Sequence, residues 1–164
     1  MKKLISALVG ICLASISYAQ TDLPETTIKD VNTGKKLAFN QAIEKNKVTL
    51  ISFWATWCAP CKKEIKNIKL KLDGWKKEAD FNYVTVSIDE SKAEGLVRTY
   101  AMSQGWNFPF YIDPNSDLKR SLNFQNVPFT IIVDKTGKVV YMHSGYEDGG
   151  EEEVFAKVKE YASK

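Results

Sequence analysis

Two cysteines, Cys58 and Cys61, carry the reactive chemistry of this chain, in the run Trp54-Ala55-Thr56-Trp57-Cys58-Ala59-Pro60-Cys61. Thiols at this spacing can hold a metal or cycle between dithiol and disulfide. Zinc asks for four ligands, and beyond this pair and Cys12 the chain offers only His143. A purely structural disulfide would close a very short loop and stabilise little. Redox exchange is therefore the chemistry expected. Cys58 falls where an apolar stretch hands over to a helical one. There, free backbone N–H groups and the helix dipole stabilise a thiolate and lower its pKa from about 8.5 into the range ~3.5–7.5. This makes Cys58 the candidate nucleophile. Cys61, one turn later, is placed to attack a mixed disulfide formed at Cys58. Pro60 fits the first helical turn, where its missing N–H costs nothing.

The elements that must hold this pair follow from periodicity. Val48 to Trp54 is β-branched and apolar throughout, the pattern of a buried central strand. Behind Pro60, Ile65, Ile68, Leu72 and Trp75 recur at helical spacing. Phe81 to Ile88 reads as a second strand and Ala93 to Gln104 as a helix with Leu96, Val97, Tyr100 and Ala101 on one face. Phe108 to Ile112 reads as a short extended piece and Asp117 to Leu122 as a short helix. Upstream, a turn is expected at Asn32–Lys35, with Asn40 capping a short helix over Gln41–Lys45. Phe129–Val133 and Val139–His143 flank a Gly-containing loop, a hairpin signature. A closing helix spans Glu151 to Ala162, its three leading glutamates at the positive end of the dipole. Strand and helix alternating before a hairpin imply an α/β fold, a mixed sheet with helices on both faces.

Composition narrows the function. The chain has 164 residues, 44% of them hydrophobic and 26% charged, which suits one globular domain. Its net charge of +3 is too small to point to nucleic acid. Lys2 and Lys3 precede a charge-free run from Leu4 to Thr21, and Ser17-Tyr18-Ala19 resembles a signal cleavage site. Residues 1–19 are thus expected to be a signal peptide and 20–164 the mature domain, with Cys12 removed. Lipid attachment at Cys12 fits poorly because bulky Ile11 precedes it. An uncleaved membrane anchor is the alternative, although Ser6, Ser15, Ser17 and Gln20 match a membrane helix poorly. An exported protein whose two remaining thiols lie three apart is not using them to staple distant loops.

The run Phe53 to Glu64 resembles the active-site segment of thioredoxin-fold proteins, and is most similar to the TlpA/ResA-like extracytoplasmic thiol-disulfide oxidoreductases. The likeness continues through Val86-Ser87-Ile88-Asp89, Asn126-Val127-Pro128-Phe129-Thr130 and Asp134-Lys135-Thr136-Gly137. It implies a thioredoxin fold, a central mixed sheet flanked by helices, with a helix and strand inserted over Ser91–Arg120. On its residues alone, Pro128 reads as a trans proline leading a strand; the resemblance implies instead that Val127-Pro128 is the cis-proline loop that lends backbone to a substrate strand. Glu64 matches an acidic position that tunes the thiols, against the plainer reading of an exposed carboxylate paired with a lysine. Trp57 matches an exposed lip for partner docking. Trp54, Phe53, Trp75 and Tyr83 read as core, His143 as a hairpin residue, and Lys62, Lys63, Lys66, Lys69 and Lys71 as a solvated helix face. Cytoplasmic thioredoxins carry an acid where this chain has Ser52, so a proton from Cys61 would have to go to Glu64 or water.

The resemblance implies a periplasmic or otherwise extracytoplasmic protein-disulfide reductase. Its substrates would be protein disulfides, its donor a membrane electron carrier, and its only redox group the Cys58–Cys61 pair, with no added cofactor or metal. Oxidase or isomerase action is an alternative, because potentials across this fold run from about −270 to −120 mV. Copper delivery of the Sco type is a further one, set against by the CxxC spacing.

Overall fold

A computed structural model describes residues 21–164; the expected signal peptide, its cleavage site and Cys12 lie outside the described residues. Among the described residues the strands are β1 (Thr21–Asp22), β2 (Thr27–Asp30), β3 (Lys36–Ala38), β4 (Val48–Trp54), β5 (Phe81–Ser87), β6 (Phe110–Ile112), β7 (Phe129–Val133) and β8 (Lys138–Ser144). The α-helices are α1 (Ala59–Glu78), α2 (Glu94–Ser103), α3 (Asp117–Ser121) and α4 (Gly150–Ala162). All the strands join one mixed sheet in the order β1-β8-β7-β4-β5-β6-β2-β3. Strand β4 lies at its centre, parallel to β5 and antiparallel to β7. No helix among the described residues is long and apolar enough to cross a membrane.

Every residue of β4 is buried, as a strand covered on both faces requires. Its side chains alternate between two cores. Leu50 and Trp54 join the side carrying α1, α2 and α4, which includes both cysteines. Ile51 and Phe53 join Ile28, Phe39, Leu118, Leu122 and Phe124 on the other. Helix α1 presents Ile65, Ile68, Leu72 and Trp75 to the first core, and Trp75 stacks on Phe155 of α4 with centroids 4.3 Å apart. The β7–β8 turn is held by Asp134, whose Oδ1 accepts from the Thr136 and Lys138 amides, and Gly137 (φ 87°) supplies the left-handed residue.

The structure departs from the sequence reading in three places. The short helix expected over Gln41–Lys45 is a 3-10 turn over Phe39–Ala42, so Asn40 lies inside it; Ala38 takes the capping position, and the Gln41 side chain accepts from its amide at 3.1 Å. Leu96 is not on the buried face of α2 but 64% exposed, because the packed face runs through Val97, Tyr100 and Ala101 and Leu96 stands about 100° around the helix from Val97. Strands β1, β2 and β3 were not foreseen, since runs of two to four residues are too short to show a periodic pattern.

Candidate active site

At the end of β4 the chain turns into a loop that is fixed from outside. The Asp89 carboxylate, nearly fully buried just beyond β5, accepts from the Thr56 amide and the Thr56 hydroxyl, both at 2.8 Å, and from the Ser87 hydroxyl at 2.6 Å. Lys62 reaches back from α1 to donate to the Thr56 carbonyl at 3.0 Å, with its ammonium 5.5 Å from the centre of the Tyr100 ring. The loop therefore delivers Cys58 to the N-cap of α1 in an extended backbone conformation. There Cys58 Sγ accepts from the Cys61 amide at 3.3 Å, taking the place of the oxygen that usually caps a helix. This donor is one that would stabilise a thiolate at the same position.

Cys58 and Cys61 form a disulfide with their Cα atoms 5.3 Å apart. The Val127-Pro128 bond is cis, and the Val127 carbonyl oxygen lies 3.7 Å from Cys58 Sγ. The Pro128 carbonyl is occupied by the Gly145 amide, leaving the loop braced against the start of the β8–α4 connection. Trp57 is 69% exposed beside Cys58, whereas Trp54, Phe53, Trp75 and Tyr83 are all buried. A cleft lined by Lys119, Arg120, Asn123 and Gln125 opens on the segment that leads into Pro128.

Behind Cys61, which is fully buried, the helix turns once to Glu64. Glu64 is 1% exposed and makes no ion pair among the described residues, so it is not a surface carboxylate held by a lysine. Its Oε1 accepts from the Thr130 hydroxyl of β7 at 3.1 Å, and its Oε2 has no partner. Burial pushes the Glu64 carboxyl up to about 7; the Thr130 bond opposes this and the charge of Glu151 adds to it. Ser52, where cytoplasmic thioredoxins carry an acid, accepts from the buried Tyr83 hydroxyl at 3.2 Å. His143 sits opposite Thr130 in the β7–β8 register and stacks on Tyr141. The lysine run is only partly a solvated face: Lys62 is engaged at the loop, Lys63 with Asp148 and Lys71 with two glutamates of α4.

A family model described as Redoxin matches residues 19–159. The chain belongs to the Redoxin family. The thiol-disulfide oxidoreductase ResA of Bacillus subtilis is 30% identical over 125 residues, covering 76% of this chain and 66% of ResA. That of Halalkalibacterium halodurans is 27% identical over 145 residues, covering 86% of this chain and 81% of the relative. A thioredoxin-like protein from Porphyromonas gingivalis, solved in solution, superposes with a TM-score of 0.77 at 37% identity, over 87% of this chain and 94% of that one. The thioredoxin fold is thus shared by this Redoxin chain and its neighbours. The two ResA relatives are thiol-disulfide oxidoreductases, and the Cys58–Cys61 pair supports the same class of chemistry here.

The reading of the sequence assigned no role to Asp89, Thr56 or Thr130. Two of these left a signal. Asp89 is an acid just past the C-terminal end of a parallel strand, where site residues of α/β sheets collect. Thr130 interrupts the otherwise apolar strand Phe129-Thr130-Ile131-Ile132-Val133.

Proposed function

We propose that this protein is an extracytoplasmic protein-disulfide reductase. The observation that carries the reading is the Cys58–Cys61 pair at the start of α1, faced by the cis Val127-Pro128 loop and backed by buried Glu64. In the proposed cycle the Cys58 thiolate attacks one sulfur of a substrate disulfide, and the other sulfur leaves as a thiolate that takes a proton from water. Cys61 then gives its proton to Glu64 and attacks Cys58 Sγ, expelling the second substrate sulfur. Two electrons pass to the substrate and the Cys58–Cys61 disulfide forms. A membrane electron donor returns the pair to the dithiol. Trp57 and the Val127 carbonyl supply the surface and the backbone against which the substrate strand lies.

Direction rests on Ala59-Pro60, which resembles the reducing members of the family. Export rests on Lys2 and Lys3 followed by an uncharged run and Ser17-Tyr18-Ala19. Equilibration of the purified protein with dithiothreitol or glutathione buffers tests the direction. A potential near or below about −270 mV is expected; a value near −120 mV would make the protein a disulfide donor instead.

A further inference from the structure

Helix α1 carries more than the dithiol and Glu64. Glu64, Asn67 and Lys71 follow at spacings of three and four, so they form one stripe down its side. Asn67 Nδ2 donates to the Tyr146 hydroxyl at 2.7 Å, and that hydroxyl donates to Glu151 Oε2 at 2.7 Å. Lys71 Nζ meets Glu151 Oε1 at 2.7 Å and Glu152 Oε1 at 2.5 Å. The Glu151 side chain is 4% exposed at the first turn of α4, a buried carboxylate with every oxygen engaged. Burial pushes it up, but the Lys71 ammonium and the Tyr146 hydroxyl outweigh this and hold it below its ordinary value. It is therefore a fixed negative charge at neutral pH.

Glu64, at the other end of the stripe, is the opposite case. One of its oxygens has no partner and the other has only a neutral hydroxyl, so no cation compensates it locally. The titratable groups on the elements packed around it are Glu151 from α4, the Tyr83 phenol from β5, His143 of β8, which pairs with Thr130 across the β7–β8 ladder, and Cys61 on its own helix. Of these, Glu151 is the one whose charge raises the Glu64 carboxyl, and Lys71 governs how much of that charge Glu64 feels.

We propose that Glu151, fixed by Lys71 and Tyr146, is a positioning residue of the redox site that sets the electrostatic field at Glu64, with Lys71 as the element that damps it. Together with the reading of Glu64 as the acceptor for Cys61, this makes the α1–α4 salt bridge an adjustment, on top of the larger effect of burial, to the pH at which Glu64 takes that proton. Two substitutions should then act in opposite senses. Glu151→Gln removes the field and lets Glu64 ionise more readily. Lys71→Met leaves Glu151 charged but uncompensated, so Glu64 holds its proton to higher pH. A role confined to packing α1 on α4 would move both variants the same way or neither.

The test is the titration of the Glu64 side-chain carboxyl by carbon NMR on the oxidised, glutamate-labelled protein, where no thiol contributes. In Glu151→Gln the midpoint should fall, and in Lys71→Met rise, each by roughly one pH unit. Lys71 is partly exposed, so that variant keeps its fold, which a melting curve verifies. Shifts of the same sign, or none in either variant, would overturn the assignment. The pH profile of disulfide reduction is recorded in parallel. If the Glu64 midpoints diverge while the rate profiles stay superimposed, the charge array stands and the role of Glu64 in the reaction fails.

Discussion

Cys58 and Cys61 are three residues apart, yet they sit in opposite surroundings. The half of the site around Cys58 is saturated with hydrogen bonds: Asp89 and Lys62 fix the loop, and the sulfur itself caps the helix. The half around Cys61 is starved of them: Cys61 is fully buried, and Glu64 keeps one oxygen bare. A nucleophile needs its negative charge stabilised before the substrate arrives, and the helix N-terminus does that. A resolving thiol must instead keep its proton until the mixed disulfide exists, and burial does that. On the roles proposed above, both sulfurs are buried, and the difference between them is that Cys58 Sγ accepts from a helix N-terminal amide while Cys61 lies behind it against Glu64.

This contrast can be broken from either side. Cys58→Ser is expected to abolish disulfide reduction, whereas Cys61→Ser should still attack and accumulate a mixed disulfide, visible by mass spectrometry. Next in size, Glu64→Gln should slow release of the reduced substrate on the order of a hundredfold, seen in single-turnover kinetics. The same variant tests the burial of Glu64 through stability. A carboxyl raised from its ordinary 4.5 to about 7 binds more protons folded than unfolded between those values. Its contribution to stability is therefore lost as pH rises through that window, by about 3 kcal/mol in all. Glu64→Gln should match the parent at pH 4 and exceed its stability at pH 8 in urea unfolding. Equal stability at both pH values would show that Glu64 is not buried in the charged state.

On the other side, Asp89→Ala leaves the Thr56 amide and the Ser87 hydroxyl without their acceptor. A loss of about 3 kcal/mol is expected, with a roughly tenfold slower exchange reaction as the loop before Cys58 loosens. Trp57→Ala is the mildest change. The exposed indole should leave the melting temperature unmoved and raise KM for a protein substrate a few-fold, with small-molecule disulfides unaffected.

How much of this was legible in the sequence follows the same division. Cys58, the strand ahead of it and the helix behind it are local features, and the β-branched run Val48–Trp54 and the spacing of Ile65, Ile68, Leu72 and Trp75 show them directly. The surroundings of Glu64 are not local. Its acidity depends on Thr130 and Glu151, which lie 66 and 87 residues further along, so the sequence left burial and surface pairing equally open. Asp89 is hidden for the same reason, since its partner Thr56 is brought to it only by the parallel pairing of β4 with β5. The cis Val127-Pro128 bond came from family resemblance and not from the residues, because a proline ahead of a strand reads first as trans. Leu96 misled because helical periodicity marks an apolar face without saying how wide the packing stripe will be.

The most direct test of the contrast is to follow both cysteine Cβ resonances by NMR in the reduced protein as pH is raised. Cys58 should ionise with a midpoint below about 7.5, and Cys61 above about 8.5. Two thiols titrating together near 8.5 would contradict the account, because neither the helix N-terminus nor the burial behind it would then be distinguishing them.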